Sequence, residues 1–128
     1  MKVGVMGGGQ LGQMLALAAP RAGCTIRFIS PDPQSPAGLV AELIIADYEN
    51  EEALAHFIDG LDVVTYEFES IPSGPVRSIE DRVPVRPSTK ALETAADIYA
   101  FMLFNMGVDV KPPPGKTNGQ TLGSAEPM

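Results

Sequence analysis

Three glycines near the amino end of the chain have the spacing of a phosphate-binding loop. Gly7, Gly9 and Gly12 form the pattern G-x-G-x-x-G, between a short apolar run and residues of high helix propensity. Glycine permits a tight turn and lets backbone N–H groups approach an anion, which the first turn of a helix also attracts. The spacing therefore predicts a loop that lies against a phosphorylated small molecule. The same glycines would also fit a close strand–helix turn without a ligand.

The pattern leaves the identity of the ligand open. A nicotinamide dinucleotide requires an acidic residue at the end of the second strand to hold the ribose hydroxyls. Asp32 lies at about that distance, but it follows Pro31 in a proline-rich stretch. Gln10 carries an amide that can donate and accept hydrogen bonds, which suits a ligand with hydroxyl or amino groups.

A second group of polar side chains follows a later apolar segment. Thr65, Glu67 and Glu69 alternate with Tyr66 and Phe68, so an extended backbone places the two carboxylates on one face. In an open α/β sheet, ligands bind beyond the carboxyl ends of the strands, where the glycine loop also lies. The two acids would there bind an amine or ribose hydroxyls, and an equally good interpretation is that they are solvated loop residues.

Strand-like runs alternate with short amphipathic segments along the chain, and this alternation predicts the fold that positions these groups. We expect a single Rossmann-like α/β domain with a parallel sheet flanked by helices. The predicted strands are Lys2–Met6, Cys24–Ile29, Leu43–Ala46, Asp62–Phe68 and Val83–Val85. The predicted helices are Gln10–Ala19, Pro36–Leu43, Glu51–Ile58, Gly74–Asp81 and Thr89–Met106.

The first predicted helix carries apolar residues at helical spacing, with good helix formers throughout. These residues are Leu11, Met14, Leu15, Leu17 and Ala18. Beyond the domain proper, residues 93–110 are expected to form a C-terminal helix and the start of a link. Residues 111–128 are rich in proline and glycine and predict an extended or disordered tail.

Composition and charge narrow the classes of function. The 128 residues are enough for one domain with a core and too few for two. A net charge of −7 argues against nucleic acid or an anionic membrane as a partner, because both require a basic surface. We expect a soluble cytoplasmic protein, since no apolar run reaches the length of a bilayer span. The single cysteine, Cys24, is expected to be buried, and His56 to lie on a solvated helix surface.

Five segments, taken together, resemble a known family. In chain order they are Met6–Met14 (MGGGQLGQM), Ser30–Ala37 (SPDPQSPA), Ala46–Tyr48 (ADY), Asp62–Glu69 (DVVTYEFE) and Val83–Ser88 (VPVRPS). The chain is similar, over residues 1–92, to the N-terminal domain of N5-carboxyaminoimidazole ribonucleotide synthetases, the ATP-grasp ligases of purine biosynthesis. The resemblance implies a Rossmann-like pre-ATP-grasp domain. Full-length members use ATP and magnesium to carboxylate 5-aminoimidazole ribonucleotide with bicarbonate.

The resemblance also implies a site for the ribonucleotide substrate in this domain. By position, the loop Gly9–Gly12, and in particular Gln10 and the backbone of Leu11, would contact the ribose phosphate portion. Glu67 would hold the ribose hydroxyls, and Glu69 is a second candidate. The resemblance implies no catalytic residue and no metal ligand in this chain.

The C-terminal part of the chain departs from the family pattern. Of a Gln-Asp-Arg stretch and a following lysine, only Asp97 is retained, while Ile98 and Met102 stand at the Arg and Lys positions. No glycine-rich ATP lid and no acidic magnesium cluster follows. We therefore expect this chain alone to bind no cofactor and to be inactive as a ligase, with ATP and Mg²⁺ held by the other domains of full-length relatives.

A strongly apolar segment predicts self-association. Residues Ile98–Phe104 would form a helix that is apolar on most faces, and the surplus surface would pack against a second copy. We therefore expect a homo-oligomer, specifically a dimer. Two other functions stay open: a fragment of a nicotinamide-dependent oxidoreductase, based on the glycine loop and Asp32, and a non-catalytic oligomerisation or regulatory module.

Overall fold

Parallel strands form a single four-stranded sheet in the computed structural model, which describes residues 1–67 and 71–94. The strands are β1 (Lys2–Met6), β2 (Thr25–Ser30), β3 (Glu42–Ile45) and β4 (Val63–Tyr66). Their order is β3-β2-β1-β4, so the first strand lies in the interior with β2 and β4 on either side. This arrangement confirms the α/β Rossmann-like fold expected from the sequence.

Helices follow three of these strands along the chain. They are α1 (Gln10–Ala18), α2 (Glu51–Ile58) and α3 (Ser73–Glu80), with 3₁₀ turns at Ala19–Ala22 and Pro36–Leu39. Local signals set several of the boundaries. Asn50 caps α2 by accepting a hydrogen bond from the Ala53 N–H at 3.0 Å. Gly23 adopts φ +71° directly after the first 3₁₀ turn, a conformation that favours glycine.

The core has two parts, one on each face of the sheet. The larger part packs α2 and α3 against one face and contains Met6, Phe57, Val64, Ile79 and Val85, all almost fully buried. The smaller part lies under α1 and the Pro36–Leu39 turn, and its buried members are Val5, Ala16, Phe28 and Ala37. Alternate residues of β1 therefore serve opposite faces of the sheet.

The large apolar side chains of α1 do not face the sheet. Leu11 is 74% exposed and Met14 is 65% exposed, and the residues that α1 buries are Gly12 and Ala16. The reason is close packing, because a Cβ on Gly12 would come within 2.9 Å of the Phe28 ring. Only small residues fit between the helix and the sheet at that separation, so the larger ones point outward.

Several predicted elements are shorter in the structure than expected. The predicted strand Val83–Val85 is a single bridge between Val85 and Val64, since Pro84 and Pro87 on either side cannot donate to a ladder. Of the predicted helix Pro36–Leu43, only the 3₁₀ turn Pro36–Leu39 forms. Cys24 is half-buried rather than buried, because it precedes β2 at the amino edge of the sheet.

Other expectations concern residues that the structure does not describe. Residues 89–94 are helical, but most of the predicted helix Thr89–Met106 lies outside the described residues. The same holds for the apolar segment Ile98–Phe104, for the tail 111–128, and for Phe68 and Glu69. In the described part of the chain, no helix has both the length and the apolar character needed to cross a membrane.

Candidate functional site

Segments that follow all four strands meet at the carboxyl edge of the sheet. The register pairs Met6 of β1 with Ile29 of β2 and with Tyr66 of β4, so these strands end at one level. The glycine loop follows β1, Ser30 ends β2, and Glu67 follows β4 directly. The parallel sheet therefore brings together residues that are far apart in sequence, at the edge where ligands bind in open α/β folds.

The Glu67 carboxylate occupies the glycine loop. Its Oε1 accepts a hydrogen bond from the Gly12 N–H at 2.8 Å, and its Oε2 accepts one from the Gly9 N–H at 3.2 Å. The Glu67 backbone stays in register with β1, because its N–H donates to the Met6 carbonyl at 2.9 Å. Since α1 has no capping side chain of its own, Glu67 caps its N-terminus from the end of β4.

The glycines of the loop make room for this carboxylate. A Cβ on Gly12 would lie 2.8 Å from Glu67 Oε1, and a Cβ on Gly9 would lie 3.1 Å from Oε2. Gly7 has φ +100° and would also approach Glu67, at 3.0 Å. The glycine spacing that predicted a phosphate-binding loop is therefore needed in this structure to accommodate the Glu67 side chain.

Gln10 and Leu11, the loop residues without a glycine, lie at the N-terminal end of α1. Both side chains are exposed, and both residues belong to the first turn of the helix. Among the described residues, nothing accepts a hydrogen bond from their backbone N–H groups. The first turn of α1 therefore presents two unpaired donors next to the Glu67 carboxylate, and a polar ligand at this edge would have donors and acceptors within reach.

A cluster of hydroxyl groups adjoins the loop on the side of β2, and the sequence reasoning did not identify it as part of the site. Ser35 Oγ donates to Ser30 Oγ at 2.9 Å, and both serines are buried. Burial raises the pKa of the Tyr48 phenol, and the negative charge of Glu67 raises it further, while the Ser30 side chain acts in the opposite direction. Ser30 is the last residue of β2, and Ser35 and Tyr48 follow β2 and β3. This position at the carboxyl ends of strands is the sequence signal that could have identified them.

Asp32, the acid expected for a dinucleotide, uses its side chain within its own turn. Its Oδ1 accepts a hydrogen bond from the Gln34 N–H at 2.8 Å, so it closes its own exposed turn. His56 is exposed on α2, as predicted. Within residues 1–67 and 71–94, no group of three His, Cys, Asp or Glu side chains could hold a metal ion.

The chemistry available at this edge is hydrogen bonding to a polar ligand. Glu67 offers a carboxylate, Gln10 an amide, and Tyr48 and Ser30 offer hydroxyls, while the nearest stretch of sequence from Phe28 to Val76 contains no Lys or Arg. A carboxylate next to hydroxyl donors and free N–H groups suits vicinal hydroxyls, which both donate and accept.

The fold and this edge define a class, the Rossmann-like α/β domains with a glycine loop at the carboxyl ends of a parallel sheet. Comparison with known proteins narrows that class to a family. The model of the ribonucleotide synthetase preATP-grasp domain matches residues 1–96, and the chain belongs to this family.

The relatives confirm the resemblance seen in the sequence. The N5-carboxyaminoimidazole ribonucleotide synthase of Pseudomonas aeruginosa is 45% identical over 97 residues, which are 76% of this chain and 27% of that protein. The crystal structure of the Thermus thermophilus synthetase superposes with a TM-score of 0.72 at 43% identity, over 86% of this chain and 31% of that one.

A third relative was crystallised with ligands. It is the Aspergillus clavatus N5-carboxyaminoimidazole synthase in complex with ADP and 5-aminoimidazole ribonucleotide, with a TM-score of 0.65 and 28% identity, over 87% of this chain and 31% of that one. This chain therefore spans 27–31% of the length of these three relatives.

Proposed function

We propose that this chain binds 5-aminoimidazole ribonucleotide, as the substrate domain of a ligase that carboxylates it to N5-carboxyaminoimidazole ribonucleotide. Membership of the family and the ligands of the Aspergillus clavatus relative support this proposal. The observation that carries it is the Glu67 carboxylate, which two hydrogen bonds hold beside the open first turn of α1. A fixed carboxylate next to free N–H donors is complementary to the ribose of a nucleotide.

The proposed roles follow from the chemistry of each group. Glu67 accepts hydrogen bonds from the ribose hydroxyls, and Glu69 is a second candidate for that contact. Gln10 and the backbone N–H of Leu11 contact the ribose phosphate portion, with Gly9 and Gly12 holding the loop in place. These residues bind and orient the substrate, and none of them carries out the carboxylation.

The cofactors of the reaction belong to the proposal for the whole enzyme. ATP would supply the phosphoryl group that activates bicarbonate, with Mg²⁺ bound to its phosphates. Among the described residues, no group of three His, Cys, Asp or Glu side chains could hold Mg²⁺. We therefore propose that Mg²⁺, and ATP with it, bind to the remaining part of the ligase. We also propose that the protein is cytoplasmic.

Calorimetric titration of the full chain with 5-aminoimidazole ribonucleotide tests the proposal. We expect saturable binding that weakens about tenfold or more in the Glu67→Gln variant, because a charge-assisted hydrogen bond to each ribose hydroxyl is lost. The matched control is Glu52→Gln in the exposed first turn of α2, which makes the same change of charge and should bind like the wild type. Absence of heat at millimolar ligand would reject the proposal.

NADH provides a negative control for the oxidoreductase alternative. Glu67 fills the loop and Asp32 closes its own turn, so we expect no change in NADH fluorescence on titration.

A second candidate function, an oligomerisation module, is favoured by one observation. The exposed apolar side chains Leu11, Met14, Leu17 and Leu39 lie on α1 and the adjoining 3₁₀ turn. A dimer at micromolar concentration in analytical ultracentrifugation, weakened by Met14→Glu, would support this candidate. The same measurement tests the predicted self-association.

A further inference from the structure

The N-terminus of α1 already holds an anion, and that anion belongs to the protein. The two carboxylate oxygens of Glu67 accept hydrogen bonds from the N–H groups of Gly9 and Gly12, at 3.2 and 2.8 Å. These are the groups that a glycine loop offers to phosphate, together with the positive end of the helix dipole. The carboxylate thus occupies the position where a phosphate would bind.

The loop is shaped to fit the carboxylate closely. Gly7, Gly9 and Gly12 all lie so near Glu67 that an added Cβ would come within 3.1 Å of a carboxylate oxygen. A tetrahedral phosphate is wider than a planar carboxylate and cannot share this space. It would also meet a negative charge within contact distance, and from Phe28 to Val76 the sequence contains no Lys or Arg to offset that charge.

We propose that Glu67 is a specificity-determining residue that excludes phosphate groups from the N–H groups of Gly9 and Gly12. The domain then selects ligands that present neutral hydroxyl or amine groups to the loop. Such groups donate to the outward lone pairs of the carboxylate, while a phosphate placed against the carboxylate is repelled. This inference deepens the proposed function and rests on it for the identity of the ligand. In the proposed complex, the ribose rather than the phosphate of the nucleotide faces Glu67.

Truncation of Glu67 should therefore create a phosphate site. In the Glu67→Ala variant the N–H groups of Gly9 and Gly12 lose their acceptor, and the volume of the carboxylate becomes free for an oxyanion. In Glu67→Gln the charge is removed but most of the volume stays filled, so the gain should be smaller. Both variants expose the same helix N-terminus, which attracts anions.

The experiment is a titration of the ¹⁵N-labelled full chain with inorganic phosphate, followed by NMR at the Gly9 and Gly12 amides. We expect no saturable shift in the wild type up to tens of millimolar phosphate. Glu67→Ala should bind phosphate about tenfold or more tightly than the wild type, with the largest shifts at these two glycines. The control is Glu52→Ala, which makes the same charge change in the first turn of α2 and should leave phosphate binding at the wild-type level.

Each outcome decides the question. Saturable phosphate shifts at Gly9 and Gly12 in the wild type would overturn the inference, and so would a folded Glu67→Ala variant that gains no phosphate binding. If Glu67→Ala does not fold, the Glu67→Gln variant replaces it in the test. The inference still requires that Glu67→Gln bind phosphate more tightly than the wild type. None of these phosphate titrations uses 5-aminoimidazole ribonucleotide. A failure of the proposed function would therefore appear in the calorimetric titration and would not change the outcome of the phosphate titrations.

Discussion

Substitution of Gly12 by alanine tests the packing of Glu67 against α1 most directly. Gly12 lies within α1, where alanine is intrinsically favoured over glycine by about 1 kcal/mol. In this structure, however, the new Cβ would lie 2.8 Å from Glu67 Oε1 and 2.9 Å from Phe28 Cε1. Relieving both contacts requires the carboxylate and the helix to move apart.

The magnitude follows from the two interactions that are lost. Overpacking against the Phe28 ring costs about 1–3 kcal/mol. Loss of the hydrogen bond from the Gly12 N–H to a charged carboxylate costs about 1.5–3 kcal/mol. After subtraction of the gain in helix propensity, we expect Gly12→Ala to lower the free energy of unfolding by about 1.5–5 kcal/mol.

Gly74 provides the matched control for this substitution. It lies in the first turn of α3, and no heavy atom comes within 4 Å of a Cβ built on it. Gly74→Ala should therefore raise the free energy of unfolding, by up to about 1 kcal/mol. Urea denaturation followed by circular dichroism measures both variants. A Gly12→Ala variant as stable as the wild type would refute the close contact between Glu67 and α1.

Three further predictions concern a cap, an acid and a phenol. Asn50→Ala should cost about 1 kcal/mol in urea denaturation, because α2 loses its side-chain cap. The pKa of Glu80 is lowered from 4.5, chiefly by Thr89, whose backbone N–H donates to Glu80 Oε1 at 2.7 Å. The contribution of the Glu80 carboxylate to stability is therefore present above pH 4.5 and is lost as the pH falls through the lower pKa of the folded state. Urea denaturation measured across this pH range tests this loss. Glu67→Gln should lower the pKa of Tyr48 in a spectrophotometric titration, because a nearby negative charge is removed.

Matched variants make these predictions decisive. Asn50→Asp keeps an acceptor at the cap and should retain most of the stability. Glu80→Gln should flatten the acid side of the stability profile, and an unchanged profile would contradict the role of Glu80. A Tyr48 pKa that does not respond to Glu67→Gln, or responds equally to Glu52→Gln, would show that Glu67 does not act on the phenol.

Local sequence signals predicted most of the fold because they act over a few residues. Lys2–Met6 was predicted at its observed bounds, and the Asn50 cap placed α2 correctly, since both depend on neighbouring residues alone. The buried face of α1, by contrast, could not be predicted from local signals, for a physical reason. Helical spacing indicates an apolar stripe but not how near the helix lies to the sheet, and the contact between Gly12 and Phe28 reverses the face that is buried.

The sequence by itself determined an α/β alternation, a glycine loop after the first strand, and an acid at the end of β4. It also carried the family resemblance that the comparisons confirm. Only the tertiary structure decided what fills the loop. The order β3-β2-β1-β4 sets β4 beside β1, and the parallel register then delivers Glu67 to Gly9 and Gly12, more than fifty residues earlier in the chain. Spacing along the sequence cannot specify that contact, because it depends on which strands pair and in what register.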